Sequence, residues 1–115
     1  MLKKPIRIIK PQDPVEFIKK SIEESIKWAV FEPNDEKLWT RVKQTINPFL
    51  IEMWQEGTIV GAKPKEAFFV ICDRTIMTQN DIDNGRLIVA VGVAPVKPAE
   101  FVIFKISQWT VGAKS

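Results

Sequence analysis

The sequence has 115 residues, enough for one ordinary domain with its own core, and its 45% hydrophobic and 27% charged content is that of a folded globular chain. Its net charge of +3 comes from 17 basic and 14 acidic residues, interspersed without the basic block or stripe of a dedicated nucleic-acid binder. The absence of His excludes His-based triads, His metal ligands and a His pH switch, and the single Cys72 excludes an internal disulfide or a Cys-rich metal site.

Residues 1–12 form a short arm bracketed by Pro5 and Pro11, in which Ile6, Ile8 and Ile9 have strand chemistry. The remainder, 13–115, reads as a single domain. Asp13 can cap a helix, Pro14 suits its first position and Glu16 stands where a capping box needs it. Phe17, Ile18, Ile22, Ile26 and Ala29 then recur at helical spacing, which predicts a first helix over about 14–30. Phe31-Glu32-Pro33-Asn34-Asp35 breaks it, and Asn34 or Asp35 caps a second helix. That helix carries Leu38, Trp39, Val42, Ile46, Phe49, Leu50, Met53 and Trp54 on a broad apolar face and stops at Gly57. Pro48 lies inside the pattern and predicts a kink near 44–48.

After Gly57 the pattern changes. Thr58–Val60 is a possible short strand. Ala67–Asp73 is a continuous apolar run suited to a buried strand, Arg86–Ala94 is a second strand, and Phe101–Thr110 is a third. Thr75–Gly85, between the first two, is rich in turn formers, and Pro95-Val96-Lys97-Pro98 is a stiff connection. Two helices followed by three or four strands give an α+β fold: two N-terminal helices packed on a small, mainly antiparallel sheet. The last strand and tail, about 101–115, form a candidate C-terminal arm.

Sites for chemistry are few. Asp81-Ile82-Asp83-Asn84-Gly85 has the opening of a calcium loop, but Gly92 stands where the closing Glu would be, so a turn entering the second strand is the better reading. Asp73 and Arg74 follow a strand with no nucleophile–base pair around them. Cys72 sits in an apolar run without basic neighbours on its N-terminal side, as a small buried hydrophobe does. Trp28, Trp39, Trp54 and Trp109 fit core or interface packing, and no phosphate-binding glycine loop is present. Neither catalytic residues, a cofactor nor a metal is expected.

A longer pattern runs through these elements. Phe31-Glu32-Pro33-Asn34-Asp35 is followed by Leu38-Trp39, Arg41-Val42, Ile46, Phe49-Leu50 and Trp54-x-x-Gly57. Then come Gly61, Glu66-Ala67-Phe68-Phe69-Val70, Cys72-Asp73 and Met77-Thr78-x-x-Asp81-Ile82-Asp83-x-Gly85-Arg86-Leu87. Val91-Gly92-Val93-Ala94-Pro95 and Lys97-Pro98-Ala99-Glu100-Phe101-Val102 complete it. Over roughly 17–112 this resembles the C-terminal domain of contractile tail sheath proteins, found in bacteriophage tails and related injection particles. Subunits of that family normally carry a large N-terminal domain, where this sequence has the lead of residues 1–12.

The resemblance implies a structural subunit, not an enzyme, assembled in the bacterial cytoplasm into a tubular sheath. Its implied partners are copies of itself or full-length sheath subunits, joined by exchanged strands, and an inner tube protein. No small-molecule substrate, membrane insertion or nucleic acid is expected. Candidate subunit contacts are Ile6, Ile8 and Ile9 in the arm, and Ile106, Gln108, Trp109 and Thr110 at the other end. Candidate contacts to an acidic inner tube are Lys37, Arg41, Lys63 and Lys65. A small basic nucleic-acid-binding domain, suggested by the sequence pI of about 9.1 and the four Trp, is the alternative.

Overall fold

The computed structural model describes residues 13–97 and 100–111. In chain order these form α1 (Pro14–Ser25), a 3-10 turn (Lys27–Phe31), α2 (Glu36–Gln55), α3 (Pro64–Ala67), β1 (Phe68–Ile71), α4 (Gln79–Asp83), β2 (Arg86–Val93) and β3 (Val102–Trp109). The helices pack against a three-stranded antiparallel sheet of order β1-β2-β3, the α+β arrangement read from the sequence.

α1 starts where expected. Asp13 is extended and its carboxylate accepts from the Val15 N–H at 2.9 Å, with Pro14 at the first helical position. It ends earlier than the predicted 30, at Ser25. The Ser25 hydroxyl donates back to the Ile22 carbonyl, and the Trp28 indole N–H donates to the Ser25 carbonyl at 2.8 Å. In a continued α-helix that carbonyl would accept from Ala29. The Ala29 N–H bonds to Ile26 instead, at 3.0 Å, and the chain tightens into the 3-10 turn. Ile18, Ile22, Ile26 and Ala29 stay buried through the change.

Asp35 caps α2, accepting from the Leu38 N–H at 3.0 Å. α2 runs unbroken through Pro48, at which it loses the backbone bond to Gln44. Pro48 and Gln44 are both exposed, so water satisfies the freed carbonyl, while buried Ile46 and Leu50 anchor the helix on either side. Gly57 ends the helix at φ +84°, with its N–H on the Trp54 carbonyl and the Thr58 N–H on Met53. This is a Schellman motif, for which glycine is suited. The Thr58–Val60 segment is not a strand but a single bridge, Ile59 to Pro95.

β1 is shorter than the predicted 67–73. Within Thr75–Gly85 the structure has a short helix, α4, which turn chemistry alone did not predict. Thr78 and Asp81 form its reciprocal capping box, and Gly85 follows it at φ +79°. Asp81 is thereby spent on a cap, as the turn reading requires.

The register sorts the sheet into two faces. Phe68 and Val70 of β1, Leu87, Val89, Val91 and Val93 of β2, and Val102, Phe104, Ile106 and Gln108 of β3 share one. The four β2 residues and Ile106 are buried there against Ile18, Ile22, Leu38, Val42, Ile46 and Leu50. Fully burying one such side chain contributes about 1.5–3 kcal/mol, so this face carries much of the stability. α2 lies against β1, and α1 and the 3-10 turn against β3.

Candidate assembly surface

β3 is an edge strand, hydrogen-bonded to β2 on one side. Among the described residues no segment pairs with its outer edge. It is eight residues long, against four in β1 at the opposite edge. A long apolar edge is a template for another strand. Its core-side residues Val102, Phe104 and Gln108 are only half-buried: β2 flanks them on one side and, among the described residues, no strand flanks them on the other.

The other face of the sheet carries Phe69, Ile71, Arg86, Ile88, Ala90, Gly92, Ile103, Lys105, Ser107 and Trp109. Ile103 is 60% exposed and Trp109 65%. The Phe69 ring lies across Gly92 and meets Phe101 edge-on at 5.3 Å, while the Arg86 guanidinium sits 5.9 Å from the Trp109 ring. Seven large apolar side chains are exposed among the described residues: Phe17, Phe31, Val96, Phe101, Ile103, Trp109 and Val111. All except Val96 belong to β3, its immediate flanks, or the two helical elements packed against it.

The anticipated contact residues fall in different places. Ile6, Ile8 and Ile9 lie outside the described residues. Ile106 is 2% exposed and part of the core, so its side chain offers no external contact. Gln108 and Trp109 pair with Leu87 and Arg86 inside the sheet. The N–H and hydroxyl of Thr110 both donate to the Gly85 carbonyl. Of the four candidate tube contacts, Arg41 is engaged by Glu32 at 3.1 Å and lies 4.5 Å over the Trp28 ring. Lys37 is exposed at the start of α2, and Lys63 and Lys65 are exposed beyond its end. α2 spans 20 residues, about 30 Å, so the four do not make one patch.

Phe17 and Phe31 escaped the sequence reading as surface residues. The signal was present: both fall off the Ile18, Ile22, Ile26, Ala29 stripe, which alone reaches the core.

A second surface feature is an open groove of about 500 Å³ between α2 and the end of β1, lined by Trp39, Lys43, Asp73 and Arg74 among others. Two of its charged groups are engaged by near neighbours in the chain. Asp73 accepts from the N–H and hydroxyl of Thr75, which hold its carboxyl below the usual range. Arg74 donates to Gln79 at 2.9 Å and lies over the Trp39 ring. Burial pushes the Cys72 thiol up to about 12, so it is not a nucleophile at neutral pH. Among the described residues no cluster of three or more Cys, Asp or Glu could take a metal, and no helix is long and apolar enough to cross a membrane.

A family model for the phage tail sheath C-terminal domain matches residues 7–108. The chain belongs to that family. Among solved structures, a chain of the anti-feeding prophage baseplate is 40% identical over 82% of this chain and 26% of that one, with a TM-score of 0.69. A chain of the PVC sheath complex, an extracellular contractile injection system in its contracted state, is 41% identical over the same shares, with a TM-score of 0.65. The sheath-domain chain thus spans about a quarter of the length of the solved chains it matches. No curated protein matches it. The family and these neighbours are structural sheath and baseplate proteins.

Proposed function

We propose that this chain forms part of a contractile sheath around an inner tube, linked to neighbouring sheath subunits by exchange of β-strands. One observation carries this reading. β3 is an edge strand paired to β2 along its whole length, and it enters the sheet through the connection 94–101, which contains Pro95 and Pro98. The same eight pairs form equally well when β3 comes from a neighbouring subunit. Exchange of an identical element costs little in contacts. A stiff connection further favours an arm that extends away from its own sheet. In the same scheme Ile6, Ile8 and Ile9 of a neighbour add to the outer edge of β3. Lys37, Lys63 and Lys65 are exposed for contact with an acidic tube. Contraction of such an assembly draws on energy stored in subunit packing and needs no nucleotide site.

The exchange can be trapped covalently. Ala90 and Lys105 face each other across β2 and β3 on the side of the sheet opposite Val89 and Ile106. Chains carrying Ala90→Cys and chains carrying Lys105→Cys are mixed under mild oxidation; buried Cys72 gives little background. A disulfide-linked heterodimer is expected, with rings or tubes in negative stain for the parent chain. A doubly substituted chain that closes within itself, with no heterodimer from the mixture, overturns the exchange.

A further inference from the structure

We propose that the Phe69 and Phe101 rings form a clasp that ties the start of β3 to β1 and sets the rate at which β3 is released to a neighbouring subunit. This rests on the strand-exchange reading above and adds to it a control of that exchange.

At the entry of β3, Ile103 stands opposite Gly92, which has no side chain to meet it, and Ile103 is 60% exposed. Phe69 of β1 stands opposite the same glycine from the other side, on the same face of the sheet. With no Cβ in the way, its ring lies across β2. There it meets the Phe101 ring edge-on, with 5.3 Å between centroids and 60° between planes, a favoured aromatic geometry. Phe101 is the last residue before β3. The contact therefore joins the first strand to the third over the middle one, at the end where the chain enters. The far end of β3 is held differently, by the Thr110 N–H and hydroxyl on the Gly85 carbonyl, polar bonds that water can replace. At the entry end the helix-side residues Val102 and Phe104 are half-buried, and the buried anchor of the strand, Ile106, comes only afterwards. The ring pair supplies side-chain contact where the packing of β3 is weakest.

Phe101 moves with β3. The pair breaks when β3 leaves its own sheet and forms again, on Phe69 of the partner subunit, when the strand is exchanged. A contact present in both end states and absent between them raises the barrier without moving the equilibrium.

The test uses full chains bearing Ala90→Cys or Lys105→Cys, mixed in the native state and sampled over time by a short oxidation pulse. In a Phe101→Ala background the linked heterodimer should appear about tenfold faster than in the parent and reach the same final fraction. Phe69→Leu should give a similar acceleration, and the two changes together no more than either alone, because both remove one contact. Val42→Ala lowers stability through α2, which lies against β1, and should leave the rate at the parent value. An unchanged rate with Phe101→Ala, fully additive effects, or equal acceleration by Val42→Ala overturns the clasp. Parent chains unfolded in urea and refolded together form the heterodimer whatever the height of the barrier. If they do so and the ring variants exchange no faster than the parent, only the clasp fails. If they do not, the exchange reading fails and the clasp with it.

Discussion

The indole nitrogen of Trp39 donates to the side-chain oxygen of Asn34 across 2.7 Å, five residues apart where the chain enters α2. Asn34 is the one buried polar residue among those described, and this bond fixes which way its amide points. Trp39→Phe keeps an aromatic in place but leaves Asn34 without that partner. A loss of about 1–3 kcal/mol is expected, read as a fall in the midpoint of thermal denaturation followed by circular dichroism. An unchanged midpoint would show that water replaces the indole at no cost.

Gly92 is required by what lies over it. A Cβ placed there would come within 2.2 Å of the Phe69 ring. Gly92→Ala should therefore destabilise by about 1–3 kcal/mol through overpacking. In a Phe69→Leu background the same substitution should cost less, and the difference between the two backgrounds measures the contact.

Pro48 sits inside α2 without a backbone donor. Pro48→Ala should restore the bond to Gln44 and stabilise the protein by about 1–3 kcal/mol, less than the full interior cost of proline because both ends of the missing bond are hydrated. Chemical denaturation with urea checks the sign. A destabilised variant would mean that the proline shapes α2 for packing.

Cys72 makes stability depend on alkaline pH. Burial raises its folded pKa from 9.0 to about 12, so above pH 9 the unfolded chain loses a proton that the folded chain keeps. The contribution is fully present below pH 9 and is lost progressively from pH 9 towards 12, with a limiting slope of about 1.4 kcal/mol per pH unit. Cys72→Ala should flatten that part of the profile relative to the parent. A thiol reagent such as DTNB at about pH 8, just below the ordinary thiol pKa, should react with the native chain far more slowly than with the urea-unfolded chain.

The sequence carried the core better than the surface. Ile18, Ile22, Ile26 and Ala29 predict their own burial because a stripe at helical spacing has only one way to meet a sheet. The strand Arg86–Val93 shows its central place by being apolar on both faces. The end of α1 was not legible, because the periodicity continues through it; a side-chain event, Trp28 taking the Ser25 carbonyl, decides the switch. α4 was hidden for the opposite reason. Its residues are polar and turn-forming, and only the spacing of Thr78 and Asp81 betrays a cap. For the assembly surface, the identity of the edge strand was legible and its extent was not. Pattern ran the third strand over 101–110, and pairing to β2 holds it to Val102–Trp109.

The sheet joins only strands adjacent in the chain, β1 to β2 across 72–85 and β2 to β3 across 94–101. Such a meander closes early. A short connection meets its ends in tens of nanoseconds and a hairpin zips in microseconds, ahead of any encounter between molecules at ordinary concentrations. A newly made chain therefore covers its most apolar strand, β2, before it meets a partner. Any neighbour that takes β3 must first wait for it to unzip. Under the proposed exchange, reopening sets the pace of assembly, and a template that catches the freed strand, rather than concentration alone, decides when growth starts.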